Sequence, residues 1–247
     1  MQQTDAIFGE VKRRHDEAEA SEETVRLSID TKATVKIGPF SRGGYSRTGT
    51  EGSDHDFKPT GKLTPFGLFE PATNALDLYF SASKVTSDLM VDCLEDWWRR
   101  NRERLIAKKT LLLDLDNGPE NHSRRSQFIK RLIGFSWSYQ VRVVLCYYPP
   151  YHSKYNPIER CWGILENYWR GELLSSEEAV LGYAASMTYN GKHPHVVKVA
   201  EEYHSGVRLT RKELDQLEPF LQRTPGLPKW SVVIPIPPAK PDQLILR

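Results

Sequence analysis

Three acidic residues of this 247-residue chain stand at the predicted ends of strands and helices, where chemistry is done. Asp30 closes the run VRLSI, Asp116 follows TLLLDL, and Glu159 lies in the first turn of a helix opening at Asn156. Strand ends on one sheet edge, with a helix start over them, can gather three distant carboxylates. Three carboxylates at one point cannot all stay ionised without a cation. Oxygen-only ligands favour Mg²⁺ or Mn²⁺ over zinc. Two such ions, about 3.5–4 Å apart, stabilise the attacking and leaving oxygens of an in-line phosphoryl displacement. Taken singly, each acid has a plainer reading as a turn former or a helix-dipole partner. Asp114 competes with Asp116, because strand alternation puts both on the same face. Asp116 is preferred because it borders the flexible end beside Asn117.

The elements that must position these acids follow from periodicity and turn residues. Residues 1–24 predict an amphipathic helix, with Ala6, Ile7, Val11 and Ala18 in loose helical spacing. Strands are predicted at 25–30, 64–69, 76–80, 110–115 and 141–146, with a turn at Pro71 and Asn74 and a long polar loop over 38–56. A helix capped by Thr86 or Ser87 carries Leu89, Met90, Cys93, Leu94 and Trp97 on one stripe. A basic helix is predicted over 122–136. Asn156 is expected to cap the helix carrying Ile158, Cys161, Trp162, Leu165 and Trp169, which ends at Gly171. Ser175 or Ser176 caps the next helix, and another helical piece lies near 210–222. The prolines of LPKWSVVIPIPPAKP confine any strand there to a sheet edge. Three strands followed by alternating helices and strands imply an α/β fold, a mixed sheet flanked by helices.

Composition limits the partners. Thirty-four Lys and Arg against 32 Asp and Glu leave a net charge of +2, which excludes a binder held on nucleic acid by bulk charge alone. A local basic groove remains open. No apolar run reaches the ~18–20 residues of a membrane span, and the first residues lack a secretory apolar core. Cys93, Cys146 and Cys161 form no C-x-x-C pair and read as reduced core thiols of a cytoplasmic protein.

SIDTKATV (28–35), SRGGYSR (41–47), DHDF (54–57), TSDLMVDCLEDWW (86–98), DLDNGPENHSRRSQFIKRL (114–132) and YYPPYHSKYNPIERCWGILENYWRG (147–171) together resemble an ISAzo-type insertion-sequence transposase, related to the Tc/mariner group. The resemblance covers roughly residues 5–234, and PPYHSKYNPIERCW is its most specific string. It implies a ribonuclease H-like DDE catalytic domain that cuts and joins DNA with two Mg²⁺ ions, for which Mn²⁺ can substitute. Carried over by position, the catalytic metal ligands are Asp30, Asp116 and Glu159, and 42 residues separate the last two. The expected organisation is a helical segment over 1–24, the catalytic domain over 25–190, and a C-terminal extension over 191–247. The implied partners are transposon ends and target DNA, with a homodimer assembled on DNA, no membrane, and a nucleoid location when bound. Such transposases carry a helix-turn-helix region before the catalytic domain, and about 29 residues precede Asp30. The expectation is therefore a truncated or partial product, or an isolated catalytic domain. The alternatives are a stand-alone nuclease of the same fold, or a catalytically idle fragment that binds DNA or a full-length transposase.

Lys154, Asn156 and Arg160 flank Glu159 and are expected to face DNA, with Lys32, Arg42 and Asn117. Arg47, Arg124, Arg125, Lys130 and Arg131 are either phosphate contacts or a solvated basic face. Asp54–His55–Asp56 is either a metal-binding piece or a polar loop. Trp97, Trp98, Trp162 and Trp169 are expected in the core. His193 and His195 are expected in a loop without a ligand role.

Overall fold

The computed structural model describes residues 2–45, 49 and 58–238. In chain order the elements are α1 (Gln2–Glu19), β1 (Thr24–Thr31), β2 (Val35–Ile37), β3 (Gly61–Glu70), β4 (Ala75–Ser81), α2 (Ser87–Arg100), α3 (Arg102–Leu105), β5 (Thr110–Leu115), α4 (Ser126–Tyr139) and β6 (Arg142–Tyr147). They continue with α5 (Ile158–Trp169), α6 (Glu177–Ser186), β7 (His195–Lys198), α7 (Arg211–Leu217), β8 (Gln222–Arg223) and β9 (Ser231–Ile234). The result is the mixed, helix-flanked α/β arrangement expected of a ribonuclease H-like fold. Asp54–His55–Asp56 and Arg47 lie outside the described residues.

The chain divides into two compact units. The first comprises residues 1–29, 86–156 and 204–247. In it β1 runs parallel to β5, and β5 parallel to β6, with Ser28 opposite Asp114 and Asp114 opposite Cys146. β9 then pairs antiparallel with β6 and with β8. Alternation divides these strands between two faces. Leu112, Val144, Cys146 and Val233 meet Ile7 and Val11 of α1. The other face carries Leu111, Leu113, Val143 and Leu145, all fully buried. α4 approaches β6 and β9 and packs on α2. The Thr86 hydroxyl accepts from Leu89 N–H and caps α2, as its sequence predicts.

The second unit comprises residues 30–85 and 157–203. β3 and β4 form an antiparallel hairpin through a turn in which Asn74 takes φ 56°. β2 pairs with β3, and β7 runs parallel to β4. The core here joins Leu63, Leu78 and Phe80 of the strands to the apolar stripe of α5 and to Val180 and Ala184 of α6. Ser176 caps α6 through Ala179 N–H.

Several expectations need correction. The basic helix begins at Ser126 rather than at 122, because residues 118–125 form consecutive turns. α1 ends at Glu19. The strand in the proline-rich tail is not at an edge. Its four residues fall between Pro228 and Pro235, so no proline interrupts its hydrogen bonding to two neighbours. His195 lies in β7 rather than in a loop. Asn156 does not cap α5. It is 1% exposed, donates its amide to the Ile29 carbonyl and accepts from the Ser28 hydroxyl. The four tryptophans expected in the core are all buried.

Candidate functional site

Asp30 sits near the end of β1 and is 9% exposed. Its Oδ2 accepts a hydrogen bond from the Trp162 indole Nε1 at 2.9 Å. Trp162 is itself 4% exposed and belongs to α5. The buried residues of α5 are Ile158, Cys161, Trp162, Leu165 and Trp169, the apolar stripe legible in the sequence. Burial pushes the Cys161 thiol up to about 12, which fits an inert packing role. Gly67 of β3 makes the close approach possible. A Cβ there would lie 2.6 Å from Trp162 Cη2 and 2.7 Å from Ile158 Cδ1.

Glu159 is in the first turn of α5, where its charge suits the helix dipole. It is half-buried, and among the described residues its carboxylate takes no hydrogen bond or ion pair. Two turns on, Glu166 accepts from Lys32 at 3.1 Å and from Arg42. Burial alone would raise the Glu166 carboxyl, but these two cations outweigh it and hold it below its ordinary value. The Arg42 guanidinium also lies 5.3 Å from the Trp169 ring centre. Lys32 and Arg42, expected to contact DNA, are thus both engaged within the protein.

In the first unit, Asp116 follows β5 and is half-buried. Its Oδ1 accepts from Gly118 N–H at 3.1 Å and from Asn121 Nδ2 at 2.8 Å. Asn117 between them has φ 64°, a left-handed geometry that Asn tolerates. Asn121 is 3% exposed, and its Oδ1 has no hydrogen-bond partner among the described residues. Asp30 and Asp116 each lie two residues beyond Ser28 and Asp114, the last paired positions of parallel β1 and β5.

The structure separates Asp114 from Asp116, which alternation cannot do. Asp114 is fully buried, and its two oxygens accept from His15 Nε2 and Arg26 Nε, each at 2.8 Å. Cys146 completes a group whose ligand atoms lie within 4.8 Å of one another. This group is chemically distinct from the oxygen-only set expected of the acids. Both Asp114 oxygens are already hydrogen-bonded and a guanidinium stands beside them, so it is a buried ion cluster holding α1 to β5. Burial, reinforced by the Asp114 charge, pushes the Cys146 thiol well up.

Of the other residues expected to meet DNA, Lys154 and Arg160 are exposed, and Asn117 is half-buried. Asn156 is not presented to a ligand, because its amide is spent on β1. Two basic residues of the stretch around α4 are paired with carboxylates. Arg125 pairs with Glu120, and Arg131 with Asp88 and Asp92. Sequence reasoning missed three contributors: Trp162 as a hydrogen-bond donor to Asp30, Asn121 as a donor to Asp116, and Glu166 as the partner of two cations. The apolar stripe shows that Trp162 is buried, but nothing local reveals what its N–H faces.

Among curated proteins, none matches this sequence. Two solved structures align with it at 12% identity. The Mos1 transposase paired-end complex with left transposon end covers 73% of this chain and 52% of its own, with a TM-score of 0.49. The Mos1 mariner paired-end complex with Mn covers 74% of this chain and 53% of its own, with a TM-score of 0.47. The chain thus spans about half the length of those transposase chains. A family model described as the Rhodopirellula transposase DDE domain matches residues 1–235, nearly the whole sequence, and the chain belongs to that transposase family.

Proposed function

We propose that this chain is the catalytic part of a DNA transposase, performing Mg²⁺-dependent strand cleavage and strand transfer with Asp30, Asp116 and Glu159 as its metal ligands. Family membership over residues 1–235 is the observation that carries this reading. The donor set fits hard divalent cations, since all three residues offer carboxylate oxygen. Glu159 keeps a carboxylate without protein partners among the described residues, and Asp116 neighbours the unpartnered Oδ1 of Asn121. Two bound Mg²⁺ ions, or Mn²⁺ in their place, would supply charge stabilisation to the attacking and leaving oxygens of the phosphodiester.

The chain's own residues do the positioning. Trp162 fixes the rotamer of Asp30 through its indole N–H and, packed against Gly67, sets the rotation of α5 and so the direction of Glu159. Gly118 and Asn121 fix Asp116 in the same way. Lys154 and Arg160, exposed on either side of Glu159 in sequence, contact the DNA backbone, and Asn117 does so beside Asp116. Phosphate contacts of this kind position DNA without reading its sequence. The protein works as a homodimer on transposon ends and target DNA.

The test is nicking of supercoiled plasmid with and without Mg²⁺. Asp30→Asn, Asp116→Asn and Glu159→Gln keep shape but remove an anionic ligand. Each is expected to reduce metal-dependent nicking to background while thermal unfolding stays cooperative. Undiminished nicking by any one of them removes that residue from the metal site. No nicking by the folded parent chain overturns the activity.

A further inference from the structure

The charges around Glu166 belong to one unit: Glu166 is on α5, the helix that carries Glu159, Lys32 directly follows β1, which carries Asp30, and Arg42 lies in the loop after β2. Glu166 lies seven residues after Glu159, about 20° from it around the helix and about 10 Å along the axis. Lys32 lies two residues after Asp30. Each oxygen of the Glu166 carboxylate takes a different cation, Lys32 at Oε2 and Arg42 at Oε1. The cations are largely covered, their side chains 17% and 21% exposed, whereas the Glu166 side chain is 41% exposed. The anchored partners are therefore the two donors, and the carboxylate at the rim is the part that can turn away into water.

Carboxylate does not complete this site. The Arg42 Nε–H is buried without an acceptor among the described residues, while the guanidinium is held over Trp169. A buried donor left unpaired is costly, and a ligand with more acceptor oxygens removes that cost. A phosphodiester offers the same single negative charge as a carboxylate and more acceptor positions. Arginine recognises such groups through several N–H bonds at once. Partly exposed ion pairs are worth little, so displacing Glu166 costs little.

We propose that Lys32 and Arg42 form a binding site for one backbone phosphate of DNA, and that Glu166 closes this site by occupying it when DNA is absent. The proposal rests on the DNA-processing reading above and assigns Glu166 a competitor's role. The phosphate so held lies alongside the strand end of Asp30 and the helix face of Glu159. It would anchor the DNA strand about two helical turns from the Glu159 carboxylate.

The experiment is equilibrium binding of a fluorescent duplex of random sequence to the full chain, in EDTA, across a range of salt. Glu166→Gln removes the competing charge and keeps the shape. It is expected to tighten binding roughly three- to tenfold and to steepen the salt dependence, since each phosphate neutralised adds about 0.9 to the slope. Lys32→Met or Arg42→Met in the Glu166→Gln background should return affinity and slope to the parent values or below. Glu166→Asp, too short to reach both cations, should tighten binding in the same direction if the Gln variant does not fold. Unchanged or weaker binding by the folded Gln or Asp variant overturns the proposal, as does indifference to Lys32→Met. Plasmid nicking by the parent chain is scored separately. Tighter binding by Glu166→Gln without any nicking sinks the cleavage reading alone, and nicking without a binding change sinks the phosphate site alone.

Discussion

Trp162 joins packing to chemistry in a single side chain. Its ring fills the space above Gly67, and its N–H meets Asp30 Oδ2. The two contributions are separable by substitution. Trp162→Ala removes both and is expected to cost about 3–5 kcal/mol of stability by chemical denaturation. Trp162→Phe keeps most of the apolar contact but leaves the Asp30 carboxylate short of a donor, at about 1–3 kcal/mol. The Phe variant should lose more metal-dependent nicking than its stability explains. Full nicking by that variant would show that the hydrogen bond does not position Asp30. The indole's burial is legible from the spacing Ile158, Cys161, Trp162, Leu165, Trp169. Its partner is not, because Asp30 lies 132 residues away.

At the scale of elements, the contact between β3 and α5 sets where Glu159 points. Only a residue without a side chain lets β3 come this close, since a Cβ at Gly67 would lie within 3.0 Å of Trp162 and Ile158 atoms. Gly67→Ala should therefore destabilise the protein by about 1–3 kcal/mol through overpacking. It should also lower nicking, because α5 must shift outward. Unchanged unfolding and unchanged nicking would mean that α5 tolerates displacement and does not position the acid. Asn156 illustrates the limit of element-level rules. An Asn–Pro at a helix start normally reads as a cap. Here the buried amide satisfies the Ile29 carbonyl, tying the loop before α5 to β1.

At the scale of the whole chain, the first and last described elements, α1 and β9, meet in the first unit. Glu10 and Arg14 of α1 both contact the Ser231 hydroxyl of β9, Glu10 at 2.7 Å and Arg14 at 3.2 Å. Burial would raise the Glu10 carboxyl, but hydrogen bonds from Arg13 and Ser231 and the charge of Arg14 hold it down at about 2 rather than 4.5. A carboxyl depressed in the folded state adds stability that is fully present above its unfolded value. That stability is lost as pH falls from about 4.5 toward 2. The stability difference between the parent and Glu10→Gln should therefore be large at pH 6 and shrink across this window. A difference independent of pH would show that the Glu10 charge does not hold α1 to β9.

Local information was enough for the helix stripes, for β1, β3, β4, β5 and β6, and for the three acids at element ends. These signals are periodicities and caps, which act within a few residues. The sequence by itself also carried the family, through the string PPYHSKYNPIERCW and the acids around it. Tertiary structure decided what no period encodes. β7 has only four residues, none of them buried, so no apolar run marks it. Asp114 and Asp116 share a residue type and the same place in the strand alternation, yet one is fully buried in β5 between His15 and Arg26 and the other stands half-buried just past the strand end. Lys32 and Arg42 look alike as free basic residues until Glu166, more than 120 residues away, claims both. A polar group must be paired when it is buried, and its partner comes from whichever segment folding brings beside it.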